Sequence, residues 1–186
     1  MNVKGTAFIN AKSTVTEGFG KERWDAFLAK LASKDNYFND EITPLTLLPV
    51  NKYIMFLNEL IDEYFNNDEK VYWMFGMVAA KYAFSPGGPY KSYLFTKDLK
   101  QFVELGMPKI WSSYFDGGIF TEKFENNVVH LKITDLPVKH VYFEYLIMGY
   151  FKQALKIFGR KSVETCVQGF SKDDKDIYYQ YELKNF

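Results

Sequence analysis

Residues 119–136 read IFTEKFENNVVHLKITDL, and the period of this stretch decides the fold. Val129, Leu131 and Ile133 alternate with His130, Lys132 and Thr134. A repeat of two, apolar against polar, is the mark of a half-buried strand. Asn126-Asn127 divides the run into two arms, so the stretch predicts a β-hairpin. A second strand pair follows downstream, over 161–168 and 177–184. In the latter Ile177, Tyr179, Tyr181 and Leu183 alternate with Tyr178, Gln180, Glu182 and Lys184, and the polar turn SKDDKD precedes it. Between the two hairpins the spacing predicts a helix over 139–158, ended by Gly159.

Upstream the period is helical. Trp24, Phe27, Leu28 and Leu31 stand at i, i+3, i+4 and i+7 in a helix predicted over 21–33. From Val50 the pattern returns with Tyr53, Ile54, Leu57, Leu60, Ile61 and Tyr64. Residues 71–84, VYWMFGMVAAKYAF, carry only Lys81 as a charge and predict a central, all-round apolar helix. Gly76, Ala79, Ala80 and Ala83 give it one small-residue side, suited to close approach of another backbone or to a ligand. SPGGP at 85–89 breaks the chain, and a further helix is expected over 90–105, ended by Gly106. Residues 3–8 read as a short strand or an extended lead-in, and Gly18 and Gly20 as a break.

Helices grouped before strands give an α+β class. The expected architecture is an N-terminal helical half followed by a four-stranded antiparallel sheet (hairpin, helix, hairpin) backed by helices. With 186 residues, a single domain is expected, helical over about 1–115 and sheet over about 117–186. Residues 107–115 form a short aromatic helix at the join. Asp116, Gly117 and Gly118 supply the hinge, since glycine tolerates backbone angles other residues resist.

Lys+Arg and Asp+Glu are 23 each, which removes the basic footprint of a nucleic-acid binder. No stretch approaches the roughly 20 apolar residues of a membrane span, and the N-terminus lacks a secretory apolar core. The single Cys166 makes no internal disulfide. A cytoplasmic protein is the expectation. Aromatics make up 19% of the chain, enough either to fill a core with rings or to wall a cavity with them.

Catalytic chemistry finds little support. His130 lies on the polar face of a strand and His140 opens the late helix, neither with a second ligand at metal spacing. A Cys166–His130 nucleophile pair across the sheet has nothing to orient it. Asp62, Glu63, Asp68 and Glu69 read as a solvated helix end. Residues 172–176 lack the length and glycine of a calcium loop, and Gly87-Gly88 lacks the lysine of a phosphate loop. The chain is expected not to be an enzyme.

The order of elements, with Val3-Lys4-Gly5-Thr6 at the start, EGFG at 17–20 and ITPL at 42–45, resembles the fold shared by three groups. These are haem-nitric-oxide/oxygen-binding (H-NOX) domains, 4-vinyl-reductase domains and TRAPP vesicle-tethering subunits. Pro108, Trp111, Tyr114, Gly117 and Gly118 are similar to a pattern before the sheet in an uncharacterised paralogous family numerous in myxobacteria. In H-NOX domains a histidine on the helix before the sheet ligates haem iron, and a Tyr-x-Ser-x-Arg motif holds the propionates. Residues 93–105 contain no histidine, and no such motif stands between 127 and 150. The cysteine-rich end of 4-vinyl-reductase domains is reduced to Cys166.

The resemblance implies an apolar space between helices and sheet. Its expected wall is Tyr72, Phe75, Met77, Phe84, Phe95, Leu99, Phe102, Trp111, Phe115 and Tyr145. The leading expectation is a non-catalytic sensory domain that binds a small hydrophobic molecule or lipid, without haem or other cofactor. An interaction module of TRAPP type, pairing with a second copy or a signalling protein through a helical face, is the alternative. A gas sensor with haem held by His130 or His140 stands last.

Overall fold

The computed structural model describes residues 1–96, 98–159, 162–170 and 176–184. Contacts divide the chain into two compact units: Met1–Asp68 with Ser113–Asp116, and Glu69–Ser112 with Gly117–Phe186.

In the first unit β1 (Asn2–Lys4) pairs antiparallel with β2 (Leu47–Pro49), Val3 opposite Leu48. Three helices follow the chain: α1 (Gly5–Phe19), α2 (Lys21–Lys34) and α3 (Val50–Phe65). The last two lie within a residue or so of their predicted bounds, because their apolar stripes are what they bury: Trp24, Phe27 and Leu31 on α2, and Tyr53, Ile54, Leu57, Leu60 and Ile61 on α3. The lead-in differs. The strand stops at Lys4 and a helix begins at Gly5, which abuts Thr43 so closely that a Cβ would stand 1.9 Å from its carbonyl oxygen. Only Gly5, Ala7, Phe8 and Val15 of α1 are buried, too sparse a stripe to announce a helix. Gly18 falls inside it; Gly20, at φ 91°, is the break.

Phe8, Trp24, Phe27 and Phe56 pack ring on ring, with the Phe8 and Phe56 centroids 4.5 Å apart. Arg23 lies over both Phe19 and Tyr64, 5.2 and 5.1 Å from their centroids. Lys30–Glu63 and Lys34–Glu59 ion pairs, at 2.7 and 2.6 Å, lace α2 to α3. Residues 113–116 close this unit. Val3 bridges Phe115, the Asn2 backbone N–H donates to Asp116 Oδ1 at 2.5 Å, and Asn2 Nδ2 donates to Oδ2 at 2.7 Å.

The second unit holds the sheet. Strands β3 (Ile119–Glu125), β4 (Val128–Thr134), β5 (Ser162–Phe170) and β6 (Ile177–Lys184) form one antiparallel layer in the order β3-β4-β6-β5. The α+β class and the four-stranded sheet are as expected. Asn126 and Asn127, at φ 50° and 61°, make the β3–β4 turn with both central residues left-handed, the arrangement that matches strand twist. Residues 171–175 of the expected polar turn lie outside the described residues.

Helix α4 (Lys70–Ala83) matches its expected bounds but is not buried all round: Met74, Val78 and Tyr82 are exposed along one face. The helix expected over 90–105 is broken instead: α5 (Tyr93–Thr96), α6 (Leu99–Gln101) and a π-helical turn (Phe102–Gly106) that runs straight into α7 (Met107–Tyr114). Asp98 starts α6 afresh, accepting the Gln101 N–H at 3.0 Å. Gly106 is not a helix end. A Cβ there would stand 2.7 Å from the Phe102 ring, so the glycine makes room for that ring. The late helix likewise opens with a π-helical stretch, Tyr142–Ile147, before α8 (Met148–Gly159). No described helix is long and apolar enough to cross a membrane.

Candidate functional site in the second unit

The small-residue side of α4 is a contact between backbones. A Cβ on Gly76 would lie 2.1 Å from the Leu146 carbonyl oxygen and 2.8 Å from the Tyr150 nitrogen. A Cβ on Gly149 would lie 2.8 Å from the Trp73 carbonyl oxygen. Of the two uses foreseen for these small residues, close approach is the one realised at Gly76.

Above this crossing the sheet meets the late helix through two phenols. Tyr179 and Tyr181, fully buried and stacked at 5.9 Å, donate to the carbonyl oxygens of Glu144 and Met148 at 2.7 and 2.8 Å. Both acceptors lie where the π-helical stretch gives way to α8. The phenols thus give each of these carbonyls a side-chain donor from the sheet. Burial pushes both phenols well above the usual tyrosine pKa, so they remain donors.

The expected wall residues separate into three places. Phe84 and Phe102 meet edge to face at 5.8 Å, joined by Tyr93 and by Phe158, which stacks on Phe102 at 4.7 Å. Trp111 stacks on Phe120 at 5.9 Å and lies 6.5 Å from Phe143, with Phe151 5.1 Å beyond Phe120. Tyr72 stands with His140, ring edge to ring face at 5.9 Å. Leu99 is buried, and Phe75, Met77 and Tyr145 are half-buried. Phe95 does not line an interior: it is 72% exposed, its ring 6.0 Å from the Lys91 ammonium. A run of four helical residues cannot turn all its rings inward. Phe115 belongs to the first unit, where it bridges Val3. The sequence reading missed Tyr93, Phe120, Phe143, Phe151 and Phe158. Phe120 shares one strand face with Glu122 and Phe124, and Phe151 and Phe158 are two helical turns apart, signals that would have found these three.

The three residues expected to form a hinge differ from one another. The chain passes from the first unit to the second between Asp116 and Gly117. The Asn2 donors hold the Asp116 carboxyl below the usual carboxylate range. Gly118, at φ 74°, is the one of the three in the left-handed region, and Trp111 stands 3.1 Å from where its Cβ would be.

Both histidines are engaged. His130 Nδ1 lies 2.7 Å from the Tyr178 hydroxyl, which also accepts from Gln180 Nε2 at 2.5 Å. His140 Nδ1 accepts the Tyr142 N–H at 3.1 Å, the bond an N-cap makes. Burial lowers its pKa. The Cys166 side chain lies outside the described residues. Its strand, β5, is separated from His130 on β4 by β6, about 10 Å between backbones. Asp62 and Glu63 bind Asn67 and Lys30, each at 2.7 Å. Among the described residues no three of His, Cys, Asp and Glu group to hold a metal ion.

No protein-family model matches the chain, and no curated protein does. Solved structures do. The chain is similar over 98% of its length to the Fe(II) unliganded H-NOX protein from K. algicida, with 14% identity, a TM-score of 0.69 and 97% of that chain covered. It is similar over 98% to an H-NOX protein from S. oneidensis in the Fe(II)NO ligation state, with 14% identity, a TM-score of 0.70 and 99% of that chain covered. A mutant of T. Tengcongensis H-NOX matches with a TM-score of 0.64 and 13% identity over 98% of both chains. At this identity the likeness shows an H-NOX-like fold.

An iron porphyrin on the terms of that resemblance needs an imidazole before the sheet and an arginine after its first strands. Residues 93–105 offer no imidazole, His140 Nδ1 accepts a main-chain N–H, and His130 stands on the face of β4 opposite the buried Val129, Leu131 and Ile133. Arg23 lies over two rings of the first unit, and Arg160 lies outside the described residues. The described donor set does not fit the group.

Proposed function

We propose that this chain is a non-catalytic sensory domain that binds a small hydrophobic ligand and does not use haem. One observation carries the reading. A chain that shares the H-NOX-like fold over 98% of its length keeps a ring-rich interior in its second unit, while His140 Nδ1 accepts a main-chain N–H and His130 lies on the face of β4 opposite the buried Val129, Leu131 and Ile133. Such an interior, apolar with few polar groups, is the ordinary form of a small-molecule site. Asp116, Gly117 and Gly118 are the hinge of this reading, and ligand occupancy biases it by differential affinity for two states. The likeness to the paralogous family numerous in myxobacteria belongs to the same proposal.

The test is to incubate the purified protein with haemin, record its visible spectrum, and identify organic extracts by mass spectrometry. The expected result is no Soret band from a protein-held iron and a co-purifying apolar molecule. A stable Soret band abolished by His130→Ala or His140→Ala would overturn the reading.

A second reading has its own observation. Met74, Val78 and Tyr82, each four residues apart on α4, are 45%, 47% and 63% exposed. This apolar stripe supports an interaction module, and a stoichiometric dimer lost in Val78→Lys is its expected signature.

A further inference from the structure

The buried phenols that tie the sheet to the late helix have acceptors: Tyr179 and Tyr181 each reach a main-chain carbonyl. Tyr72 does not follow them. On the first turn of α4 and 2% exposed, it has a hydroxyl cut off from solvent with no hydrogen-bond partner among the described residues. Phenylalanine would fill the same volume without an unmet polar atom, so the oxygen is a liability to the core alone. The neighbouring ring, His140, has its Nδ1 occupied by the Tyr142 N–H.

We propose that the Tyr72 hydroxyl is the polar anchor of the second unit's ligand site, and that it takes a neutral molecule with an apolar body and one hydrogen-bond acceptor, such as a ketone, ester or alcohol oxygen. The inference rests on the ligand-binding reading above and names the ligand class. Burial first, and then the negative charge of Glu69, raise the phenol's pKa, so it stays protonated and donates. The same field opposes a carboxylate or phosphate head. An acceptor without charge is what remains.

Three probes of similar body test this by calorimetry: benzophenone with a carbonyl, diphenylmethane without one, and anionic diphenylacetate. The wild type is expected to bind benzophenone about three- to tenfold tighter than Tyr72→Phe does, the effect of one neutral hydrogen bond. Diphenylmethane is expected to bind the two proteins equally, and diphenylacetate more weakly than benzophenone. Equal benzophenone affinity in both proteins, with diphenylmethane bound, overturns the anchor and leaves the ligand-binding reading standing. Tighter binding of diphenylacetate overturns the neutral class. Binding of none of the three by either protein overturns the ligand-binding reading and the anchor with it. Thermal unfolding without probe gives a separate check: Tyr72→Phe is expected to melt at the same temperature or higher. A lowered midpoint would show that the hydroxyl already has a partner within the protein, and would end the proposal.

Discussion

The two units solve the same problem, covering a ring-rich core, in different ways. The first uses regular α-helices whose aromatic stripes interlock, with Phe8, Trp24, Phe27 and Phe56 at the centre. Ion pairs between α2 and α3 cover the outside, each contributing little at an exposed site. The second unit replaces ring-to-ring helix contacts with a backbone crossing at Gly76 and Gly149, and it interrupts its helices with two π-helical stretches. Its loose ends are tied by side-chain hydroxyls from the sheet. The lesson is that the helix–helix core of the first unit, away from the Gly5–Thr43 approach, tolerates change by repacking side chains, whereas the helix crossing of the second depends on individual atoms. Irregular helices concentrate where proteins carry function, and here they fall on the unit that holds the candidate site.

Glycine substitutions break this contrast most sharply. Gly76→Ala drives a methyl into the Leu146 carbonyl, and neither backbone can yield cheaply. A loss of about 3 kcal/mol or more is expected by chemical denaturation. Gly18→Ala, in α1 with nothing within 4 Å of the new carbon, is expected to gain up to about 1 kcal/mol. Equal effects at the two sites would dissolve the distinction between the units.

Next in size are the hydroxyls. Tyr181→Phe leaves the Met148 carbonyl buried without this donor and is expected to cost about 1–3 kcal/mol. Amide exchange in residues 142–150 should quicken beyond what global destabilisation explains, because the bond secures the change of repeat. Uniform loss across the protein would mean the phenol merely fills space.

The smallest effect is in pH. Burial places the folded pKa of His140 below its ordinary value of 6.5. The unfolded chain therefore takes up the proton first as pH falls. The stability contributed by the neutral ring is whole above about 6.5 and is lost as pH drops through the folded pKa. His140→Asn keeps an acceptor for the Tyr142 N–H without titrating. Denaturation midpoints at about pH 7.5 and about pH 5 should differ less in this variant than in the wild type. An unchanged difference would assign the acid sensitivity elsewhere.

These same features mark how far the sequence could be read. Helices α2 and α3 and strands β4 and β6 were legible because each buries a face whose period is written in residue type. Helix α1 was not, since Gly5 and Ala7 pack by being small and leave no apolar stripe to count. The π-helical stretches were invisible for another reason. One extra residue in a turn shifts the stripe without removing it, so Tyr142 to Phe158 reads as a continuous helix. The candidate site shows the same limit. Tyr72, Phe84, Phe102 and Trp111 were read as interior, but five of the rings that pack with them were missed, Phe95 is exposed and Phe115 joins the other unit. Which ring meets which depends on the break at Asp98 and on the π-helical turn that ends at Gly106, and those depend on a local bond and on one phenyl group. The orphaned Tyr72 hydroxyl carries no pattern in sequence at all, because it is defined by what does not surround it.

The clamp between Asn2 and Asp116 bears on how the protein is made. Residues 113–116 complete a unit whose other members end at Asp68. During synthesis, the early helices emerge long before the segment that seals them. β1 can pair with β2 once residue 49 has emerged, whereas its bridge to Phe115 must wait for a segment made far later, so that edge of the strand stays open to chaperones and proteases until then.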